Sequence, residues 1–216
     1  ETLFAREKGG WEKLKSPYEG VEMKINKKSK DKKLRVALGR AEGNADCTAE
    51  EAAAWFFDYC SRERTALDKE EGNLARLEIR KGEGRINEKL FAVVKKFPFP
   101  LNNREFVIRH IWSKISDKAV AIAVVSAVDK VDWGGGMGKL TKGQTNAIFT
   151  ATNVETKGKI PQCKVELLQY FDSGGLIPVQ LTNKKIPLSL SVAGRITKSF
   201  NRDNDVDKDE LTKLAN

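Results

Sequence analysis

A chain of 216 residues with 40% hydrophobic and 32% charged residues fits one domain, at most two, able to bury a sizeable core without disulfides. Its longest apolar runs, Ala119 to Val125 and Ala52 to Phe57, are too short to cross a bilayer, and no signal peptide opens the sequence, so the expected location is cytoplasmic. The net charge of +9 directs attention to nucleic acid, an anionic membrane surface or an acidic protein, and excludes none of the three.

In chain order, Trp11 to Lys15 and Val21 to Lys27 read as short strands divided by the turn Ser16-Pro17-Tyr18-Glu19-Gly20. Val21, Met23 and Ile25 alternate with Glu22, Lys24 and Asn26, the period of a strand with one wet face. Lys24, Lys27, Lys28, Lys30, Lys32 and Lys33 then mark a basic tip, either a solvated hairpin end or a contact for anionic lipid worth about 1 kcal/mol per charge. Leu34 to Ala41 makes the next strand. Thr48 and Glu51 form the capping box of a helix that Ala53, Phe56 and Cys60 carry to about Thr65.

The turn Asp68-Lys69-Glu70-Glu71-Gly72-Asn73 leads into strands at Leu74 to Lys81, Ile86 to Lys96, Glu105 to Ser116, Ala119 to Ala127, Gln144 to Val154 and Cys163 to Phe171. Short polar links join them as hairpins. Beyond Ser173-Gly174-Gly175, an amphipathic helical segment runs to Phe200 with Leu181, Leu188, Val192, Ile196 and Phe200 on its apolar stripe and Pro187 as a kink. Residues 203–216 form an acidic C-terminal tail, leaving residues 1–202 as the folded domain.

Strands, a helix, a run of antiparallel strands and a long last helix predict an α+β fold with helices on one side of the sheet. A curved sheet closed by an amphipathic helix leaves an internal apolar cavity. Cys47, Cys60 and Cys163 are odd in number and set in apolar or helical contexts, which favours buried thiols over a disulfide framework, metal site or nucleophile.

The proline turn Pro98-Phe99-Pro100 followed by Arg104-Glu105-Phe106-Val107, with Trp112 ending that strand, resembles the Arg-Asp-Phe-Val and closing aromatic of the START lipid-transfer family. Tyr170-Phe171-Asp172 with Gly174-Gly175-Leu176-Ile177-Pro178 resembles its lead-in to the last helix, and Trp11, Thr48 and Leu67-Asp68 extend the likeness over nearly the whole chain. The resemblance implies a helix-grip fold, a curved antiparallel sheet wrapped around a long C-terminal helix. It implies a non-enzymatic domain without cofactors that holds one lipid or other hydrophobic small molecule and transfers or senses it at membranes. Enclosing a tail of about 16 carbons at about 0.8 kcal/mol per methylene is worth on the order of 12 kcal/mol, so release requires a lid.

The candidate ligand residues are Phe106, Ile108, His110, Trp112, Arg109, Leu188 and Val192. His110 stands where many family members place a cavity-facing arginine, with Arg109 one residue earlier. Adjacent strand residues point to opposite faces, so only one of the two looks inward without a bulge. The candidate lid is residues 131–139, where consecutive glycines give freedom and Trp133, Gly135 and Met137 would meet the membrane. The kinked last helix, with Lys184 and Lys185 near its start, is the second gate candidate.

Other chemistries find less support. Gly134 to Lys139 fails as a phosphate loop because Trp133 and Leu140 occupy its required positions. Asp203, Asp205 and Asp207 lack the glycine and the glutamate of a calcium loop, at Lys208 and Leu214. An enzyme of the same grip architecture would depend on the lone histidine, His110. An RNA-binding domain would set aromatics among its basic residues, and the cluster from Lys24 to Lys33 contains none. The expected partners are therefore a lipid and an anionic membrane surface, with no specific nucleic acid and a monomeric state.

Overall fold

A computed structural model describes residues 10–26, 36–79, 85–156, 158–175, 177 and 179–215 of the chain. Its strands are β1 (Trp11–Leu14), β2 (Glu22–Asn26), β3 (Val36–Ala45), β4 (Asn73–Glu78), β5 (Glu88–Lys95), β6 (Arg104–Ser116), β7 (Ala119–Ser126), β8 (Thr141–Lys142), β9 (Gln144–Val154) and β10 (Gln162–Asp172). They join in one curved ten-stranded sheet ordered β1-β2-β3-β10-β9-β7-β6-β5-β4, with β8 beside β6. All ladders are antiparallel except the short β6–β8 pair.

Alternation sets the two faces. On β6, Phe106, Ile108 and His110 turn to the main core, whereas Val107 joins Leu90 and Ala92 in a smaller apolar cluster on the opposite face. On β2, Met23 and Ile25 are buried and Glu22 is exposed, as the period-two reading requires. Lys24 pairs with Glu22 at 3.0 Å; Lys27, Lys28, Lys30, Lys32 and Lys33 lie outside the described residues.

Helix α1 (Ala49–Phe57) carries the expected capping box: Glu51 N–H donates to Thr48 Oγ1 at 3.2 Å and Thr48 N–H to Glu51 Oε2 at 2.7 Å. It stops at Asp58 rather than reaching Thr65. Two short helices follow, α2 (Arg62–Ala66), capped by Ser61, and α3 (Asp68–Glu71), where the sequence reading placed a turn. α3 ends at Gly72, whose φ of +68° is the left-handed conformation that closes a helix. The concave face of the sheet is covered by α1 and by the C-terminal segment, which is not one kinked helix. It breaks into α4 (Val179–Asn183), α5 (Ile186–Leu190), with Pro187 in its first turn, and α6 (Val192–Ser199).

The C-terminal segment approaches β3 closely because Gly39 has no side chain. A Cβ there would lie 2.7 Å from both Ile186 Cγ1 and Leu190 Cδ1. The acidic tail is helical: α7 (Asp203–Ala215) buries no residue and touches the domain through Asp209, which accepts from the Lys159 N–H at 2.9 Å. Cys47 and Cys163 are buried as thiols with sulfurs 3.9 Å apart, and Cys60 is partly buried.

Candidate functional site

Between the concave face, α1–α3 and α5–α6 lies a cavity of about 70 Å³. Sheet strands supply most of its apolar wall, among them Val93, Phe106, Ile108, Val124, Leu167 and Phe171. Leu188 of α5 and Val192 of α6 close it from the other side. A smaller cleft shares Glu71, Lys95, Phe171, Leu188 and Ser189 with this cavity and adds Lys96, Phe97 and Lys185. It runs between the end of β5 and the start of α5. Lys185 Nζ lies 3.4 Å from the Lys96 carbonyl oxygen and 5.0 Å from the centre of the Phe97 ring.

Five residues expected at the ligand, Phe106, Ile108, His110, Leu188 and Val192, come together around the cavity. Of the pair on β6, His110 is the one that looks inward; it is 2% exposed. Phe56 stacks on its ring at 5.5 Å and Phe91 meets it edge-on at 5.1 Å. Burial, together with the Arg64 charge, pushes its pKa down to about 3, so the ring is neutral at physiological pH. Among the described residues its Nδ1 has no hydrogen-bond partner.

The structure corrects three other expectations. Arg109 faces outward, as strand alternation requires once His110 is inside, and its guanidinium pairs with Glu88 at 3.2 Å. Trp112 packs on the edge of the core but does not reach the cavity. Trp133 sits across the sheet from the cavity, against the Leu90, Ala92 and Val107 cluster, and its indole N–H donates to Glu105 Oε1 at 2.7 Å. That position does not suit a lid over this cavity, although Gly135 is exposed and Met137 partly so in the same loop. Lys185 borders the cleft and Lys184 beside it is exposed.

Arg104 and Glu105 are fixed by the fold rather than presented to the cavity. Arg104 Nε donates to the Ser173 carbonyl at 2.8 Å, tying β6 to the turn before α4, and the guanidinium lies 4.7 Å from the Phe97 ring centre.

The sequence reading missed the polar end of the cavity. Glu71, 5% exposed, is held by Arg76 at 2.8 Å, Arg195 at 3.2 Å and Arg64 at 3.5 Å. Lys95 reaches the same place and donates to Asn73 Oδ1 at 2.8 Å. Burial alone would raise the Glu71 carboxyl, but Arg64, Arg76, Lys95 and Arg195 together hold it below the usual carboxylate range. Desolvation brings the Lys95 ammonium down to about 8 against the pull of Glu71. On the sheet wall Gln169 donates to Thr145 Oγ1 at 2.9 Å. Arg195, buried on α6, carries no sequence signal of its own, and Glu71 is hidden in a string of charges that reads as a solvated turn.

Similar folds are known. The human StarD13 (DLC2) lipid transfer and protein localization domain superposes with a TM-score of 0.64 at 13% identity, over 90% of this chain and 91% of that one. The STAR-related lipid transfer protein of Xanthomonas axonopodis gives 0.63 at 16% identity, over 91% of this chain and 98% of that fragment. Human StAR-related lipid transfer protein 5 gives 0.62 at 14%, over 92% and 91%. The fold is that of START domains. No protein-family model and no curated protein matches the sequence itself.

Within this START-like fold the cavity lies between sheet and C-terminal helices, as a helix-grip architecture provides. Among the described residues, no group of histidines, cysteines and carboxylates could hold a metal ion, and no helix is long and apolar enough to cross a membrane.

Proposed function

We propose that this chain binds one lipid or other hydrophobic molecule between the concave sheet face and α5–α6, and carries or senses it at membranes. The observation that carries the reading is the cavity itself, walled by Phe106, Ile108, Leu188 and Val192 in a START-like fold whose neighbours are lipid-transfer domains. At about 70 Å³ it is a closed state. Ligand pockets run to roughly 300–1,000 Å³, so α5 must move away from the sheet to admit a tail. The breaks at Lys184-Lys185 and at Ser191 supply the hinges for such a movement.

The cleft at Lys185, rather than the Trp133 loop, is the proposed gate. Its rim is suited to an anionic membrane: Lys96 and Lys184 are exposed, and Phe99 in the adjacent β5–β6 loop is 97% exposed. Such a surface combines an aromatic that settles at headgroup depth with cations that meet anionic lipid. Binding rather than turnover is supported by the state of the cavity groups, since His110 is neutral and enclosed by aromatics and Glu71 is committed to three guanidiniums.

The test is transfer of a labelled phospholipid between donor and acceptor vesicles. The chain should accelerate transfer over buffer, and Val192→Trp, which fills the cavity, should remove the acceleration. Transfer no faster than buffer with every lipid class tried would contradict the proposal.

A further inference from the structure

The guanidiniums at the cavity are not fully used by the fold. Among the described residues, Arg64 Nε and Nη1 and Arg195 Nε find no hydrogen-bond partner, although their side chains are only 3% and 5% exposed. Arg64 Nη2 and Arg195 Nη1 share Glu71 Oε1, and the Arg64 guanidinium lies over the rings of Trp55 at 4.3 Å and Tyr59 at 5.1 Å.

The local charge is also out of balance. Arg64, Arg76, Arg195 and Lys95 meet two carboxylates, Glu71 and Asp68, the latter bonded to Arg76 Nε at 2.6 Å. Among the described residues two positive charges remain in excess, at a place where an uncompensated charge costs several kcal/mol. Neutral His110 does not alter the balance. Buried N–H donors without acceptors and a buried cationic excess call for the same complement, an oxyanion with lone pairs on more than one oxygen. Lys96 and Lys185 along the cleft extend the positive potential outward to the surface.

We infer that the polar end of the cavity is an oxyanion site, in which Arg64 and Arg195 grip the carboxylate or phosphate headgroup of an anionic amphiphile. The inference rests on the lipid-binding reading above and narrows it from hydrophobic molecules in general to acidic ones. Glu71 has a definite part in it as a positioning residue: it holds the two guanidiniums side by side and leaves their other N–H groups for the ligand. On the facing wall His110 Nδ1 and Gln169 Oε1, both buried and without partners among the described residues, stand ready for a hydroxyl or amide next to the acidic group.

The experiment is calorimetric titration of the full chain at pH 7.4 with oleate, with oleyl alcohol, and with acetate and inorganic phosphate as free anions. Oleate should bind about tenfold to a hundredfold more tightly than oleyl alcohol, the range expected for charge-assisted hydrogen bonds. Arg195→Met should bring the two to the same affinity. Equal binding of oleate and oleyl alcohol by the wild-type chain overturns the oxyanion site and leaves lipid binding standing. Preference for oleate that survives in a folded Arg195→Met chain also overturns it. Failure of both lipids to bind overturns the site together with the lipid reading. Acetate or phosphate binding as tightly as oleate keeps the oxyanion site but makes its ligand a free anion, against the lipid reading. The wild-type comparison decides even if the variant does not fold.

Discussion

Glu71 Oε1 accepts a hydrogen bond from Arg195 Nη1 at 3.2 Å across 124 positions of sequence, tying the short helix before β4 to the helix that closes the sheet. The same carboxylate holds Arg76 and Arg64. Replacing it by a neutral amide leaves several buried cations against Asp68 alone. Glu71→Gln should therefore destabilise the fold by about 3–5 kcal/mol, read as a lower midpoint in urea denaturation at neutral pH. A loss within experimental error would mean that the cluster is open to water.

The contact of α5 with β3 depends on Gly39. Gly39→Ala places a methyl against Ile186 and Leu190 and should cost about 1–3 kcal/mol by overpacking. Leu190→Ala alone should cost about 2–5 kcal/mol by leaving a cavity. In the double variant the methyl occupies part of the vacated space, so the combined loss should be smaller than the sum of the two single losses in a double-mutant cycle. Strict additivity would place α5 further from β3.

His110 gives the fold an acid sensitivity with a definite sign. Its folded pKa is about 3 and its unfolded pKa about 6.5. Between these values the unfolded chain binds the proton and the folded one does not, so stability falls as pH falls. From pH 6 to pH 4.5 the histidine alone should remove about 2 kcal/mol. His110→Phe, which keeps a ring among Phe56, Phe91 and Tyr59, should show a flatter denaturation profile by that amount. Parallel profiles for the two proteins would show that the ring is solvated or differently bonded.

Trp133 separates the two gate assignments. Trp133→Phe loses the bond to Glu105 and should cost about 1 kcal/mol in stability. Lying across the sheet from the cavity, it should leave ligand affinity within about twofold. A large change in affinity or transfer would return the lid to residues 131–139.

Much of this architecture is legible in the sequence, because the relevant signals are local. Period-two alternation in β2 and the Thr48–Glu51 capping box each depend on residues a few positions apart, and the structure has them where the spacing puts them. Alternation also decided His110 against Arg109 once one face of β6 was known to be internal. The helix breaks were harder. Leu181, Leu188, Val192 and Ile196 keep helical spacing across the interruptions between α4, α5 and α6, so periodicity reads through them.

The polar end of the cavity was illegible for a different reason. Arg64, Glu71, Lys95 and Arg195 belong to four separate elements; Arg64 and Glu71 stand among other charged residues that mark a wet surface, and Lys95 and Arg195 stand beside apolar runs. Only the folded sheet brings them together, and no spacing rule connects positions so far apart. Trp133 misled in the opposite direction: beside consecutive glycines it looked mobile, yet the Glu105 carboxylate and the Val107 cluster fix it.

Native mass spectrometry of the chain after incubation with mixed-lipid vesicles and re-isolation tests lipid binding in the cavity. A single retained lipid per chain is expected, identified by organic extraction and absent from Val192→Trp protein prepared in the same way. A chain that emerges without lipid from every vesicle composition, or one that retains lipid equally well with the cavity filled, would contradict it.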